Sequence, residues 1–251
     1  MTLPELTREQ LLRYSRHVML PNFDLEGQER LLASRVLVIG MGGLGCAVAP
    51  YLVGSGIGQL TLVDDDVVDK HNLPRQVVYR PEDIGISKVQ AAKQRLQSLN
   101  TDCTIEVLAE RVDAATLSQL VQQHDCVIDC CDNLTTRNAI NAACVEAQTP
   151  LVSGAAIRYE GQLSVFLNQQ QGPCYRCLSL LFGEQQLSCM ESGILAPVVG
   201  VVGTMQAVET LKLLAQVGAP IAGRVLLYDG LHGDWQNFKL SRHPQCQVCA
   251  A

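Results

Sequence analysis

Apolar residues along this chain fall in short continuous runs rather than in strict alternation, as expected of strands buried on both faces of a sheet. Five such runs occupy residues 36–39, 60–64, 104–108, 126–130 and 150–154, each bounded by glycine or polar turn residues. Helical spacings at 45–54 and 87–99 separate the first three, so a βαβαβ unit with a parallel sheet is predicted, and the last two runs extend it. Residues 9–19 and 26–32 read as helices ahead of this unit, and Asn133 or Thr135 is placed to start another after the fourth strand. Beyond Gly154 the alternation changes, and 161–168, 224–229 and 233–240 predict strands of a largely antiparallel extension. Residues 169–192 lack periodicity and read as a long crossover loop. The apolar segment 195–214 contains Gln206, Glu209 and Lys212, so a buried amphipathic helix is predicted there in preference to a membrane span.

Composition narrows the class. With 251 residues, 47% apolar and 4% aromatic, the chain can bury one sizeable core, and a single domain over residues 1–251 is expected. Its halves divide near 154, a nucleotide-binding part at about 30–154 and a second part at about 155–251. A formal net charge of −6 without any basic run argues against nucleic acid as a partner. The start, Met1-Thr2-Leu3-Pro4-Glu5, has no basic and apolar leader, which predicts a cytoplasmic protein with no membrane attachment. Eleven cysteines in such a chain point to metal binding or catalysis before disulfides.

The chemistry concentrates at the predicted strand ends. Gly40-Met41-Gly42-Gly43-Leu44-Gly45 follows the first strand, where residues without Cβ let the backbone turn tightly and approach a phosphate at a helix N-terminus. Asp64 ends the second strand, placed to accept hydrogen bonds from ribose hydroxyls of either NAD or ATP; the alternative is that Asp64, Asp65 and Asp66 form a solvated loop. Asn72-Leu73-Pro74-Arg75-Gln76 and Lys88 put two cations in one crossover. A dehydrogenase has no evident need for both, whereas attack on an ATP phosphate by a carboxylate requires that anionic repulsion be neutralised. Asp132, after the fourth strand, is placed either to bind Mg²⁺ or to cap the next helix.

Cysteine spacing gives the strongest local signal. Cys174-Tyr175-Arg176-Cys177 and Cys246-Gln247-Val248-Cys249 can close a tetrahedral Cys₄ zinc site, structural because four thiolates leave no open position; a redox dithiol is the rival reading. Cys189, in Leu187-Ser188-Cys189-Met190-Glu191-Ser192-Gly193, is a candidate nucleophile. Cys46, Cys103, Cys126, Cys130, Cys131 and Cys144 read as small core hydrophobes, and the five histidines, with no ligand spacing, as surface or loop residues.

Taken together, Arg13-Tyr14-Ser15-Arg16, the glycine turn, Asp64 to Asp66, Asn72 to Gln76, Lys88, Asp129 to Asn133 with Arg137, and both cysteine pairs resemble the MoeB/ThiF family of adenylating enzymes that activate ubiquitin-like sulfur carriers. The resemblance implies a Rossmann-like α/β fold, a doubly wound and mostly parallel sheet extended by antiparallel strands, with a Cys₄ zinc site in a carrier-binding second half. It implies that the C-terminal Gly-Gly carboxylate of a carrier attacks the α-phosphate of ATP. By the same analogy Gly40, Gly42, Gly43, Asp64, Asp66, Asn72, Arg75, Gln76, Lys88, Asp132 and Asn133 hold the nucleotide, with Asp132 on Mg²⁺. Arg16 matches a position that reaches into a neighbouring subunit's site, which implies a homodimer. Residues 177–184 with 189–193 look more like the branch serving molybdopterin synthase than the thiazole branch.

Three positions depart from the family pattern: Pro74 where it usually has Gln, Cys131 where it has Thr and His17 where it has Gln. The chain ends two residues after Cys249, so the expectation is that it carries no fused rhodanese domain and that sulfur comes from a separate donor. Outside this chemistry, an NAD-dependent oxidoreductase and a non-catalytic nucleotide-binding scaffold stay open; within it, a thiazole-pathway or other sulfur carrier does.

Overall fold

The computed structural model describes residues 3–169, 172–182 and 193–250. Strands β1 (Arg35–Ile39), β2 (Gln59–Val63), β3 (Thr104–Leu108), β4 (Cys126–Asp129) and β5 (Leu151–Ile157) pair in parallel; β6 (Glu160–Phe166), β7 (Arg224–Asp229) and β8 (Asp234–Lys239) continue the sheet antiparallel. The order across the sheet is β3-β2-β1-β4-β5-β6-β7-β8. From β1 the chain winds first towards β3 and then back to β4 on the other side, which opens a crevice at the carboxyl ends of β1 and β4 where doubly wound folds take their ligands.

The continuous apolar runs are accounted for by helices on both faces. Val36, Val38, Leu60, Leu62 and Ile128 share a core with α4 (Gly43–Gly54), α5 (Lys88–Leu99) and α9 (Ala196–Ala215). Their neighbours Leu37, Ile39, Val127, Leu151 and Phe166 face α6 (Ala114–Gln122), α7 (Leu134–Ala147) and α8 (Tyr175–Phe182). Helix α9 is apolar and long enough to span a bilayer, yet Gln206, Glu209 and Thr210 are buried in it and hydrogen-bonded within the protein. A Cβ at Gly203 would lie 2.6 Å from that of Ala47, so this glycine lets α9 press against α4 as a core helix.

Three expectations are corrected, and one helix is added. The helix expected at 9–19 is two, α1 (Arg8–Arg13) and α2 (Ser15–Val18), broken at Tyr14. Tyr14 is buried against Gly56, and its hydroxyl lies 3.2 Å from Asp102 Oδ2 and 2.9 Å from Asn100 Nδ2, so tertiary contacts override the helical pattern. The loop expected at 169–192 contains α8, whose Tyr175 packs edge-on against Phe166. Helix α6 was not anticipated, although Asp113 caps it and Leu117 and Val121 supply its buried stripe. His124 is no surface residue: it is buried, with Nδ1 2.6 Å from the Leu120 carbonyl and Nε2 2.8 Å from Thr61 Oγ1.

Candidate active site

The glycine turn is built as the spacing requires, each glycine for a separate reason. Gly40 has φ +96°, a left-handed conformation. Gly45 approaches so closely that a Cβ there would sit 2.1 Å from the Gly40 carbonyl oxygen. A Cβ at Gly43 would meet Val199 of α9 at 2.8 Å, whereas Gly42 has only Gln76 Nε2 before it, at 3.8 Å. The N-terminus of α4 is thus packed tightly from behind and left open in front, where its first N–H groups have no helical partner.

Asp64 locks the turn in place. Its Oδ2 accepts from Met41 N at 2.6 Å and its Oδ1 from Asp66 N at 2.9 Å. Burial pushes its carboxyl above the usual carboxylate range, against the pull of Lys88. The Tyr79 hydroxyl donates to the Met41 carbonyl at 2.8 Å, tying the crossover to the same turn. Tyr79 was invisible as a site residue in the sequence, because a lone tyrosine between Val78 and Arg80 carries no motif.

The crossover brings its polar residues to this edge. Asp69 to Asn72 form a reciprocal cap, with Asn72 Oδ1 accepting from Asp69 N at 3.3 Å. Pro74 fits the turn that follows, because the N–H groups used there belong to Arg75 and Gln76, both donating to the Asn72 carbonyl. Arg75 is half-buried and donates to the His71 carbonyl at 3.0 Å. Gln76 is buried with its Oε1 unpartnered among the described residues. Lys88 opens α5 and is buried, its ammonium reaching the exposed carboxylate of Asp66 at 2.6 Å.

On the other side of the crevice, the two roles considered for Asp132 separate. Asn133, not Asp132, caps α7, its Oδ1 accepting from Thr136 N at 2.9 Å. The Asp132 carboxylate is exposed and has no hydrogen bond or ion pair among the described residues. Cys131 is buried with its thiol 3.4 Å from the Ile39 carbonyl. Burial pushes the Cys46 and Cys126 thiols up to about 12, so they stay protonated and unreactive. Cys189 lies outside the described residues.

Arg16 is not brought to this site. Its neighbours on the chain, Tyr14 and His17, are tied to Asp102, Asn100 and Gln28 of α3 (Asp24–Ala33), and Gln28 to the Ser55 carbonyl, all at the amino ends of the strands. Arg16 itself is exposed there, on the opposite edge of the sheet from the glycine turn.

The four cysteines converge. Cys174 and Cys246 sulfurs are 3.7 Å apart, Cys177 and Cys249 3.5 Å, and all four lie within 4.8 Å of one another. Zinc bonded to thiolates at about 2.3 Å needs tetrahedron edges of about 3.8 Å, so the donor set fits that ion. His243 N donates to Cys177 and Asn141 Nδ2 to Cys174, orienting the ligands from outside. Burial works to raise the Cys246 thiol, but backbone N–H groups of Cys249 and Val248 prevail and bring it down to about 7.

A sequence model of the ThiF family matches residues 14–248. The molybdopterin-synthase adenylyltransferase of Salmonella typhimurium strain LT2 is 47% identical over 98% of this chain and 98% of that protein. The sulfur carrier protein ThiS adenylyltransferase of Escherichia coli strain K12 is 44% identical over 95% of this chain and 94% of its own. Among solved structures, MccB of Escherichia coli crystallised with ATP superposes with a TM-score of 0.82 at 23% identity, over 94% of this chain and 74% of the other, a likeness of fold.

Proposed function

The chain belongs to the ThiF family, and from that premise we propose that it is an ATP-dependent adenylyltransferase acting on the C-terminal glycine of the ubiquitin-like small subunit of molybdopterin synthase. The observation that carries the reading is an open glycine turn held by Asp64 and faced by Gln76, with Lys88 paired to Asp66 beside it, Asn72 and Arg75 in the same crossover, and Asp132 beyond the end of the neighbouring strand β4. A dinucleotide site needs the glycines and Asp64 but neither of these cations.

The turn and the N-terminus of α4 receive the phosphates, and Asp64 the ribose. A carboxylate is already ionised at neutral pH, so no general base is required. One carboxylate oxygen forms a bond to the α-phosphorus, and the bond from that phosphorus to the bridging oxygen breaks, releasing pyrophosphate and leaving an acyl-adenylate. Lys88 and Arg75 offset the repulsion between these anions, Lys88 exchanging Asp66 for phosphate oxygens. The free Asp132 carboxylate suits Mg²⁺, which would add charge neutralisation at the phosphates. The Cys₄ group would hold zinc as a structural tie.

Two further parts belong to the proposal. The position of Arg16 on the far edge supports a homodimer in which each protomer completes its partner's site. The free thiols suit a cytoplasmic setting, with sulfur supplied by a separate donor. The 44% identity to a ThiS adenylyltransferase favours a thiazole-pathway carrier as the second reading.

ATP–pyrophosphate exchange tests the activity, using Mg²⁺ and carriers ending in Gly-Gly. Exchange that needs the intact tail, and runs faster with the molybdopterin-type carrier than with the thiazole type, is expected. The reverse preference would install the second reading. No exchange with either from folded, zinc-loaded protein would overturn adenylation.

A further inference from the structure

Strand β4 is short, and its ending is built from side chains. Val127 N donates to the Pro150 carbonyl at 2.9 Å, which sets the rungs of the parallel β4–β5 ladder two residues apart. Continued in that register, the ladder would bring Cys131 N to the Gly154 carbonyl. Pairing stops instead at Asp129 and Ser153. Cys131 N is diverted to Asp129 Oδ1 at 3.0 Å, and Arg137 of α7 supplies the missing donor, its Nη2 reaching Gly154 O at 2.7 Å and also the Cys131 carbonyl. The same guanidinium lies 3.4 Å from Asp129 Oδ2, which accepts from Ser153 Oγ at 2.8 Å.

A second clamp works from the opposite face. Gln206 of α9 donates through Nε2 to the Asp129 carbonyl at 2.9 Å and lies 3.3 Å from that of Val152. A Cβ at Gly154 would stand 2.5 Å from the Gln206 amide carbon, so glycine is what admits the clamp. Asp129, Arg137 and Gln206 are all at least nine-tenths buried, none of them open to a ligand. Asp132, three residues beyond Asp129, is where the chain emerges.

We propose that Arg137 and Gln206 are positioning residues that end strand β4 after Asp129 and thereby fix Asp132 over the crevice, opposite the glycine turn. The inference rests on the reading of Asp132 as the Mg²⁺-nucleotide carboxylate. A lysine at 137 would keep the charge opposite Asp129 but lose the fork that spans two carbonyls. Methionine at 206 is close in shape and removes both contacts.

The test measures ATP affinity by calorimetry with and without Mg²⁺, and pyrophosphate exchange, for the wild type, Arg137→Lys, Gln206→Met, Asp132→Ala and each pair with Asp132→Ala. Expected are a roughly tenfold loss of exchange and of the Mg²⁺-dependent gain in affinity for each positioning variant, unchanged Mg²⁺-free affinity, and less than a twofold further effect in the Asp132→Ala background. Equal losses in both backgrounds, or a loss of Mg²⁺-free affinity to match, would overturn the positioning role. If one variant fails to fold, the other decides. Wild-type protein that binds ATP with Mg²⁺ through Asp132 but never exchanges pyrophosphate would defeat the adenylation reading alone, and the binding comparison would still judge the two clamps.

Discussion

Gly40 stands so close to Cys130 that a Cβ on the glycine would lie 2.8 Å from the Cys130 carbonyl oxygen. The turn proposed to receive phosphates and the strand end that presents Asp132 are therefore in direct backbone contact. Gly40→Ala meets both this contact and φ +96°, and is expected to cost about 2 kcal/mol or more of stability, with at least tenfold weaker ATP binding. Gly42→Ala enters open space, so it should fold as the wild type does and lose nucleotide affinity only. Denaturant titration beside calorimetry separates the two, and equal stability losses would contradict the assignment of distinct roles.

Arg16 and Asp132 lie at opposite edges of one sheet, so their relationship in catalysis must cross a subunit boundary if both act. Arg16→Ala and Asp132→Ala proteins are each expected to keep only a few per cent of wild-type exchange, roughly a 2 kcal/mol loss. Mixed after dissociation, they should regain about a quarter of wild-type exchange, since half the random dimers carry one intact composite site. A mixture as inactive as its components would remove Arg16 from the partner's site.

The cysteine cluster ties three distant stretches together. Asn141 of α7 contacts Cys174 through its amide nitrogen and accepts from Tyr175 N at 2.8 Å, so the thiol cluster is fastened to the helix that follows Asp132. Purified protein should contain one zinc per chain. Chelation or Cys246→Ser should release it and lower the melting temperature by several degrees, because binding energy at such a site is folding energy. A chain that melts unchanged after losing its metal would show the four thiols to be incidental.

Much of this was legible in the sequence because local pattern and tertiary demand agree there. The runs at 36–39 and 104–108 became β1 and β3 with little change, and the two C-x-x-C spacings met as expected. Legibility failed where a distant contact decided the outcome. Tyr14 breaks a helix because Asn100 and Asp102 engage it, and no spacing near residue 14 records that. Gln206 was read only as a mark against a membrane helix, although a glutamine in an apolar helix signals a buried partner, here the ends of two strands. Arg137 entered through family resemblance alone, since its reach to Gly154 depends on the sheet register.

His124 is expected to make the stability of the fold depend on pH. Its Nδ1 donates to the Leu120 carbonyl and its Nε2 accepts from Thr61, which is the neutral ring, and burial holds its pKa below the ordinary value, with backbone bonding to Leu120 opposing. Below a pH of about 6.5 the unfolded chain takes up a proton at this residue that the folded chain resists, so the unfolded state binds more protons and stability falls as pH falls. The contribution is fully present above that pH and is lost on descending through the folded pKa, with a slope no greater than about 1.4 kcal/mol per pH unit. His124→Gln keeps a donor and an acceptor without the titration. Urea unfolding at pH 8 and across pH 7 to 5 should show similar stability at the high end and a flatter profile for the variant. Parallel profiles would mean that acid sensitivity arises elsewhere and that the buried imidazole finds room for its second proton.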